Sequence, residues 1–230
     1  MESPRVVSLL PSATEVLCAI GGAPLLVGRS HECDVPGSIV DRPVLTRPRV
    51  ATGLSEGEID TRVRGATEAG ESLYEVDEAA LAALQPDVIL TQDLCSVCSI
   101  DVAAVRRMAA RMRRADGSAV SVVSLNPHTV EDVLDTMLTV GEATGLTAGA
   151  TKTVVRLRER LFAALEYVNP FVPRGAVALL EWTDPMFCAG HWTVQMIERA
   201  GGVHALNPTV AKPGSGAAAG PQHGEQVAGP

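Results

Sequence analysis

The chain has 230 residues, of which 46% are hydrophobic and 20% charged, the profile of a globular protein with room for one large or two small domains. Its formal net charge of −8 excludes nucleic acid as the main partner, because phosphate binding needs a net-basic face. No apolar run approaches the roughly 20 residues of a membrane-spanning helix, and with only 3% aromatic residues the core falls to Ala, Val and Leu.

Arg5–Leu10 reads as a first strand, and Pro11-Ser12-Ala13-Thr14-Glu15 opens a helix reaching about Ile20. Ser12 with Glu15 three residues on has the spacing of a capping box, and Gly21-Gly22 ends the helix. Leu25–Gly28 is a second strand running into the polar loop Arg29–Asp34, and Val44–Thr46 has the make-up of a third. Thr52–Gly70 is polar and carries no clear period. Glu75–Leu84 has apolar residues spaced for one helical face. Pro86–Ser99 follows, with a short apolar strand, Val88–Thr91, leading into a cysteine-bearing loop. Ala103–Arg114 reads as a helix stopped by Gly117, and Val120–Ser124 as the next strand; the five arginines at 106, 107, 111, 113 and 114 read as its solvated face.

This alternation predicts an α/β fold with a Rossmann-like, doubly wound parallel sheet, whose strand-end loops gather on one edge. Thr129–Leu165 then carries a helical stripe with an N-cap signal at Thr129 and Asp132, interrupted near Gly145; it reads as one long helical connection with a kink. A further strand is expected at Ala176–Leu180, ending in Glu181–Pro185, then a helix at about Val194–Ala200. The expected organisation is an N-terminal α/β lobe over 1–127, a connecting helix over 128–168, an incomplete C-terminal α/β lobe over 169–206, and a disordered Gly/Ala/Pro-rich tail over 207–230.

Three constellations are candidates for chemistry. Cys95 and Cys98 form a CxxC pair at the end of the Val88–Thr91 strand, readable as redox thiols or as metal ligands together with His31, Cys33 and His191. Glu181, Asp184 and His191 offer acid–base groups, but no nucleophile motif, phosphate loop or dinucleotide fingerprint accompanies them, so the chain reads as a non-enzyme. Trp182 and Trp192, the only tryptophans, fall in one turn region and suit a flat or bulky ligand. Five cysteines, an odd number, do not make a secreted disulfide framework, and Met1–Arg5 runs straight into Val6–Leu10 with no signal-peptide core, so a cytoplasmic location is expected.

The stretch Val6–Glu15 resembles the opening of the vitamin B12 branch of the iron/B12 substrate-binding proteins of ABC transporters. Leu84–Leu90 resembles the family's Leu-Lys-Pro-Asp-Leu-Val-Ile pattern, the Gly141–Gly145 break the start of its second backbone-helix segment, and Asp184–Gly190 through Gly201-Gly202 the loop and helix that open its second lobe, over about residues 5–206. The resemblance implies two Rossmann-like lobes joined by a rigid helix, with a corrinoid held between them as ligand, no covalent cofactor, and delivery to an ABC transporter. Haem and ferric siderophores share the scaffold and stay open as ligands. Carried over, the ligand-binding residues are Pro11, Ser12 and Ala13; His31 and Glu32; Gln92, Asp93 and Cys95; and Trp182, Phe187 and His191. His31 or His191 is then placed to reach the cobalt as an imidazole ligand. Of the two exposed glutamates with which the family docks on its transporter, the first falls at Ala79, beside Glu78, and the second has no counterpart. The resemblance is thus to a C-terminally truncated or degenerate relative.

Overall fold

A four-stranded parallel sheet organises the chain from Val6 to Ser124. The structure is a computed structural model and describes residues 3–50, 53–69, 71–93, 101–208, 210–211 and 218–219. Strand β1 (Val6–Ser8) lies between β2 (Leu26–Gly28) and β5 (Val88–Thr91), and β5 pairs in turn with β6 (Ser121–Ser124). The register sets Val6 against Val88, Ser8 against Leu90 and Thr91 against Ser124. Both faces of the central strands are covered, so β1 and β5 are buried at every residue and read as continuous apolar runs. The parallel α/β class expected from the sequence is the class observed.

The described residues divide into two compact units. Met1–Gly53, Arg62–Asn126 and Asp135–Val154 make the first; Leu54–Thr61, Pro127–Leu134 and Val155–Pro230 make the second. In the first, Val7, Leu9, Leu45, Leu81, Ile89, Val105, Ala109 and Val120 form one buried core cluster. Asp87 pins the sheet's lower edge: one carboxylate oxygen accepts the Arg5 amide at 2.7 Å and the other the Arg114 guanidinium at 3.0 Å.

Helix α1 (Pro11–Ala19) starts two residues earlier than a Ser12 cap requires. Leu10 is its N-cap without a side-chain bond, and Pro11 takes the first helical position, where its missing N–H costs nothing. Ser12 is therefore inside the helix, and the expected capping box is not made. β3 (Thr46–Pro48) pairs antiparallel with β4 (Tyr74–Val76), apart from the main sheet. That pairing corrects the helix expected from Glu75: Glu75 faces Arg47 across the ladder with a 2.8 Å ion pair that holds its carboxyl below the usual range. The helix α3 (Glu78–Ala83) starts after Asp77, whose carboxylate accepts the Ala80 amide. The polar stretch left unassigned contains α2 (Glu56–Glu68).

Helix α4 (Val102–Ala110) is capped by Asp101, and its arginines are spent on the surface, Arg107 on Asp101 and Arg111 on Glu78. The connection is two helices, α5 (Val130–Thr144) and α6 (Thr147–Glu166), rather than one kinked helix. Gly145 takes φ +73° at the break, the left-handed conformation that stops a helix. In the first unit α6 returns against the end of α5, so close that a methyl on Gly141 would overlap the Ala150 side chain.

In the second unit the strand expected at Ala176–Leu180 is divided. β7 (Gly175–Ala176) pairs parallel with β10 (Gly202–Val203), while β8 (Leu180–Thr183) turns at Asp184-Pro185 into an antiparallel hairpin with β9 (Met186–Cys188). The Asp-Pro pair favours a turn over continued strand. Val177, Leu179 and Leu180 are each about 40% exposed. Helix α7 (His191–Arg199) begins three residues before its expected start; its Gln195 accepts the Val130 amide at 2.9 Å, and Glu131 binds both Arg158 and Arg199. Within the tail expected to be disordered, Val210–Ala211 and Ala218–Ala219 form a short antiparallel ladder.

Candidate functional site

The carboxyl ends of β1 and β5 and the start of α1 border an open cavity of about 240 Å³ in the first unit. Such a strand-end crevice is where open α/β sheets bind ligands. Leu9, Leu10, Pro11 and Ser12 form one wall, Ser30, His31 and Glu32 a second, and Thr46, Tyr74, Thr91 and Gln92 the rest. Of the expected ligand residues, the structure brings Pro11, Ser12, His31, Glu32 and Gln92 together here. Ala13 is fully buried behind the wall, and Asp93 is exposed beside it, its amide donating to the Asn126 side chain at 2.7 Å. Cys95 and Cys98 lie outside the described residues.

The His31 loop is wound around Arg29, whose guanidinium donates to the carbonyls of Ser30, Cys33 and Val40. The buried Cys33 thiol sits between the hydroxyls of Thr14, at 3.0 Å, and Ser30, at 3.2 Å. Thr46 fixes the imidazole. Its hydroxyl oxygen accepts the His31 amide at 3.0 Å and lies 2.7 Å from Nδ1, while the ring tilts against Tyr74 at 5.6 Å between centroids. The other ring nitrogen, Nε2, has a Glu32 carboxylate oxygen 3.9 Å away. Among the described residues the Ser12 hydroxyl and the Gln92 side-chain amide have no hydrogen-bond partner, and no lysine or arginine lines the cavity. Nor do three of His, Cys, Asp or Glu gather as a metal site among them.

Trp182, Phe187 and His191 belong to the second unit. Trp182 and Phe187 face each other across the β8–β9 ladder, with the indole N–H donating to the Asp184 carbonyl at 2.9 Å. His191 is buried at the head of α7, stacked on Trp192 at 5.7 Å and edge-on to His128 at 5.5 Å. The two tryptophans therefore sit on different elements, a strand and a helix, rather than in one loop. Thr46 and Tyr74 are cavity residues the sequence reading does not single out. Only the antiparallel pairing of β3 with β4 brings them beside His31, although Tyr74 is one of just two tyrosines in the chain.

No protein-family model matches the chain, and no curated protein matches it. Solved structures do. The vitamin B12-binding protein BtuF of Vibrio cholerae aligns over 96% of this chain and 70% of its own, with TM-score 0.61 and 16% identity. The haem-binding protein RhuT from Roseiflexus sp. RS-1 aligns over the same shares, with TM-score 0.61 and 17% identity. A possible iron-binding, periplasmic solute-binding protein from Staphylococcus epidermidis aligns over 88% of this chain and 67% of its own, with TM-score 0.62 and 17% identity. The chain has the class III solute-binding-protein fold. It spans about two thirds of the length of these neighbours. All three are named as periplasmic proteins, so the expected cytoplasmic location gains no support. Among the described residues no helix is long and apolar enough to cross a membrane.

Proposed function

We propose that this chain binds a corrinoid as the solute-capture component of an ABC-type uptake system, without catalysing a reaction on it. The observation that carries the reading is the polarity of the cavity. Among the described residues its lining offers hydroxyls, an amide, an imidazole and one carboxylate, with no lysine or arginine. Haem brings carboxylates and catecholate iron chelates are anionic, and among the described lining residues either would meet the half-exposed Glu32 carboxylate with no compensating cation, a like-charge contact that disfavours them. A corrin ring is fringed by neutral amides, which suit the Ser12, Gln92 and His31 groups. At about 240 Å³ the cavity takes an edge of the macrocycle rather than the whole, since pockets enclosing drug-sized ligands run to roughly 300–1,000 Å³. In the second unit Trp182, Phe187 and His191 are the proposed contacts; Cys95, three residues along the chain from Gln92, is a further proposed contact.

The test is a spectrophotometric titration of the purified protein with cyanocobalamin, haemin and a ferric hydroxamate in parallel. A saturable corrin band shift with cyanocobalamin is expected. Absence of any shift at high micromolar ligand, or saturable binding of haemin alone, would refute the corrinoid reading.

A further inference from the structure

We propose that His31 is a hydrogen-bond donor to a neutral carbonyl of the ligand, held in that role by Thr46, and not an axial ligand of its metal. The inference rests on the corrinoid reading for the ligand's identity, but its core is a property of the free protein. Thr46 is buried, and its hydroxyl oxygen already accepts the His31 amide at 3.0 Å. The hydroxyl's single proton needs an acceptor, and buried donors are nearly always satisfied. Among the described residues the remaining group within reach is His31 Nδ1, 2.7 Å away. Thr46 therefore donates to Nδ1, and the neutral imidazole carries its proton on Nε2. The opposite tautomer would aim a second N–H at the Thr46 oxygen and leave the hydroxyl proton unmatched.

The consequence is chemical. A metal-bound imidazole offers an Nε2 lone pair and donates from Nδ1 to a fixed acceptor. Here the donor and acceptor are the other way round, so Nε2 carries the N–H on a residue that lines the cavity. The carboxylate of Glu32, 3.9 Å from Nε2, disfavours an anionic acceptor there and leaves a carbonyl oxygen of an amide as the matching group. This replaces the expectation that His31 approaches the cobalt.

Nitrogen NMR of the histidine rings in the free protein reads the tautomer without any ligand. A protonated Nε2 and a bare Nδ1 at His31 are expected, with the preference lost in Thr46→Val. A protonated Nδ1 overturns the proposal whether or not cyanocobalamin binds. If cyanocobalamin does bind, His31→Gln, whose amide nitrogen keeps a donor near the Nε2 position, should hold affinity within about threefold, and His31→Ala should lose about tenfold, the scale of one hydrogen bond. Hydroxocobalamin, whose cobalt exchanges its water for an imidazole, should show no ligand-exchange change in its corrin bands; an exchange spectrum abolished in His31→Ala overturns the proposal. Failure of cyanocobalamin to bind a protein with the expected tautomer overturns the corrinoid reading and leaves the Nε2 donor standing.

Discussion

Replacing Gly149 with alanine should destabilise the protein, although glycine-to-alanine changes inside helices normally stabilise. Gly149 lies in the first turn of α6, where a methyl group would overlap the carbonyl oxygen of Ile20 at the end of α1. That oxygen is backbone and cannot swing aside, so α6 must back away. The retreat strains the neighbouring bond from the Thr153 hydroxyl to the Ala19 carbonyl, 3.1 Å long in the native chain. Overpacking costs about 1–3 kcal/mol and loss of that bond about 1 kcal/mol, against a gain of about 1 kcal/mol in helix propensity. The net is about 2 kcal/mol, a fall of about 4–8 °C in melting temperature for a chain of this size. The contrasting change is Gly65→Ala in α2, where a methyl meets nothing within 4 Å. It should gain about 1 kcal/mol from propensity alone. Urea denaturation followed by circular dichroism measures both. Equal signs for the two variants would refute the claim that α6 is seated on the end of α1 by close backbone approach.

Three further expectations follow from polar groups away from the cavity. Asp87→Asn removes the charge that binds Arg114 and accepts the Arg5 amide, and should cost about 1–2 kcal/mol in urea denaturation, with a smaller loss in high salt. Gln195→Ala strips the Val130 amide of its buried acceptor at the head of α5 and should cost about 1–3 kcal/mol, seen as earlier hydrogen exchange of the first turn of that helix. Asp132 is opposed by partial burial, which would raise its carboxyl, but the His128 and Thr129 donors win and hold it below the usual value. Its contribution, about 1 kcal/mol for a helix cap, is therefore whole above the unfolded carboxylate range near pH 4 and fades as pH falls through the lower folded value. The stability difference between the native chain and Asp132→Asn should shrink to nothing at the acid end; a difference constant down to the lowest accessible pH would contradict the assignment.

The parallel sheet was legible because β1 and β5 are apolar on both faces and because turn residues separate them from helices with a clear period. The capping of α5 was legible for the same local reason: Thr129 and Asp132 satisfy each other's backbone within one turn. α2 was missed although the Ser55 amide and hydroxyl both donate to the Glu58 carboxylate at its start, because its polar sequence has little apolar period to announce it. Glu75 and Val76 carry the spacing of a helix face yet sit in a strand, since the partner that decides the matter, Arg47 in β3, lies 28 residues away. Thr46 and Tyr74 escaped for that reason too. Local signals marked the capped start of α5; only the long-range pairing of β3 with β4 reveals what stands next to His31.

The cavity's walls come from segments as far apart as Leu9 and Gln92, and the two strands that hold them, β1 and β5, meet across about eighty residues of chain. No local fragment contains the site. It exists only once the non-local pairing of the first unit has formed, so a ligand seated there binds the folded chain and has nothing to hold in the unfolded one. Occupancy then acts as a thermodynamic weight on the whole unit, worth about 2.7 kcal/mol when free ligand is a hundredfold above its dissociation constant. A protein loaded with solute is, by the same linkage, a more protease-resistant protein than an empty one.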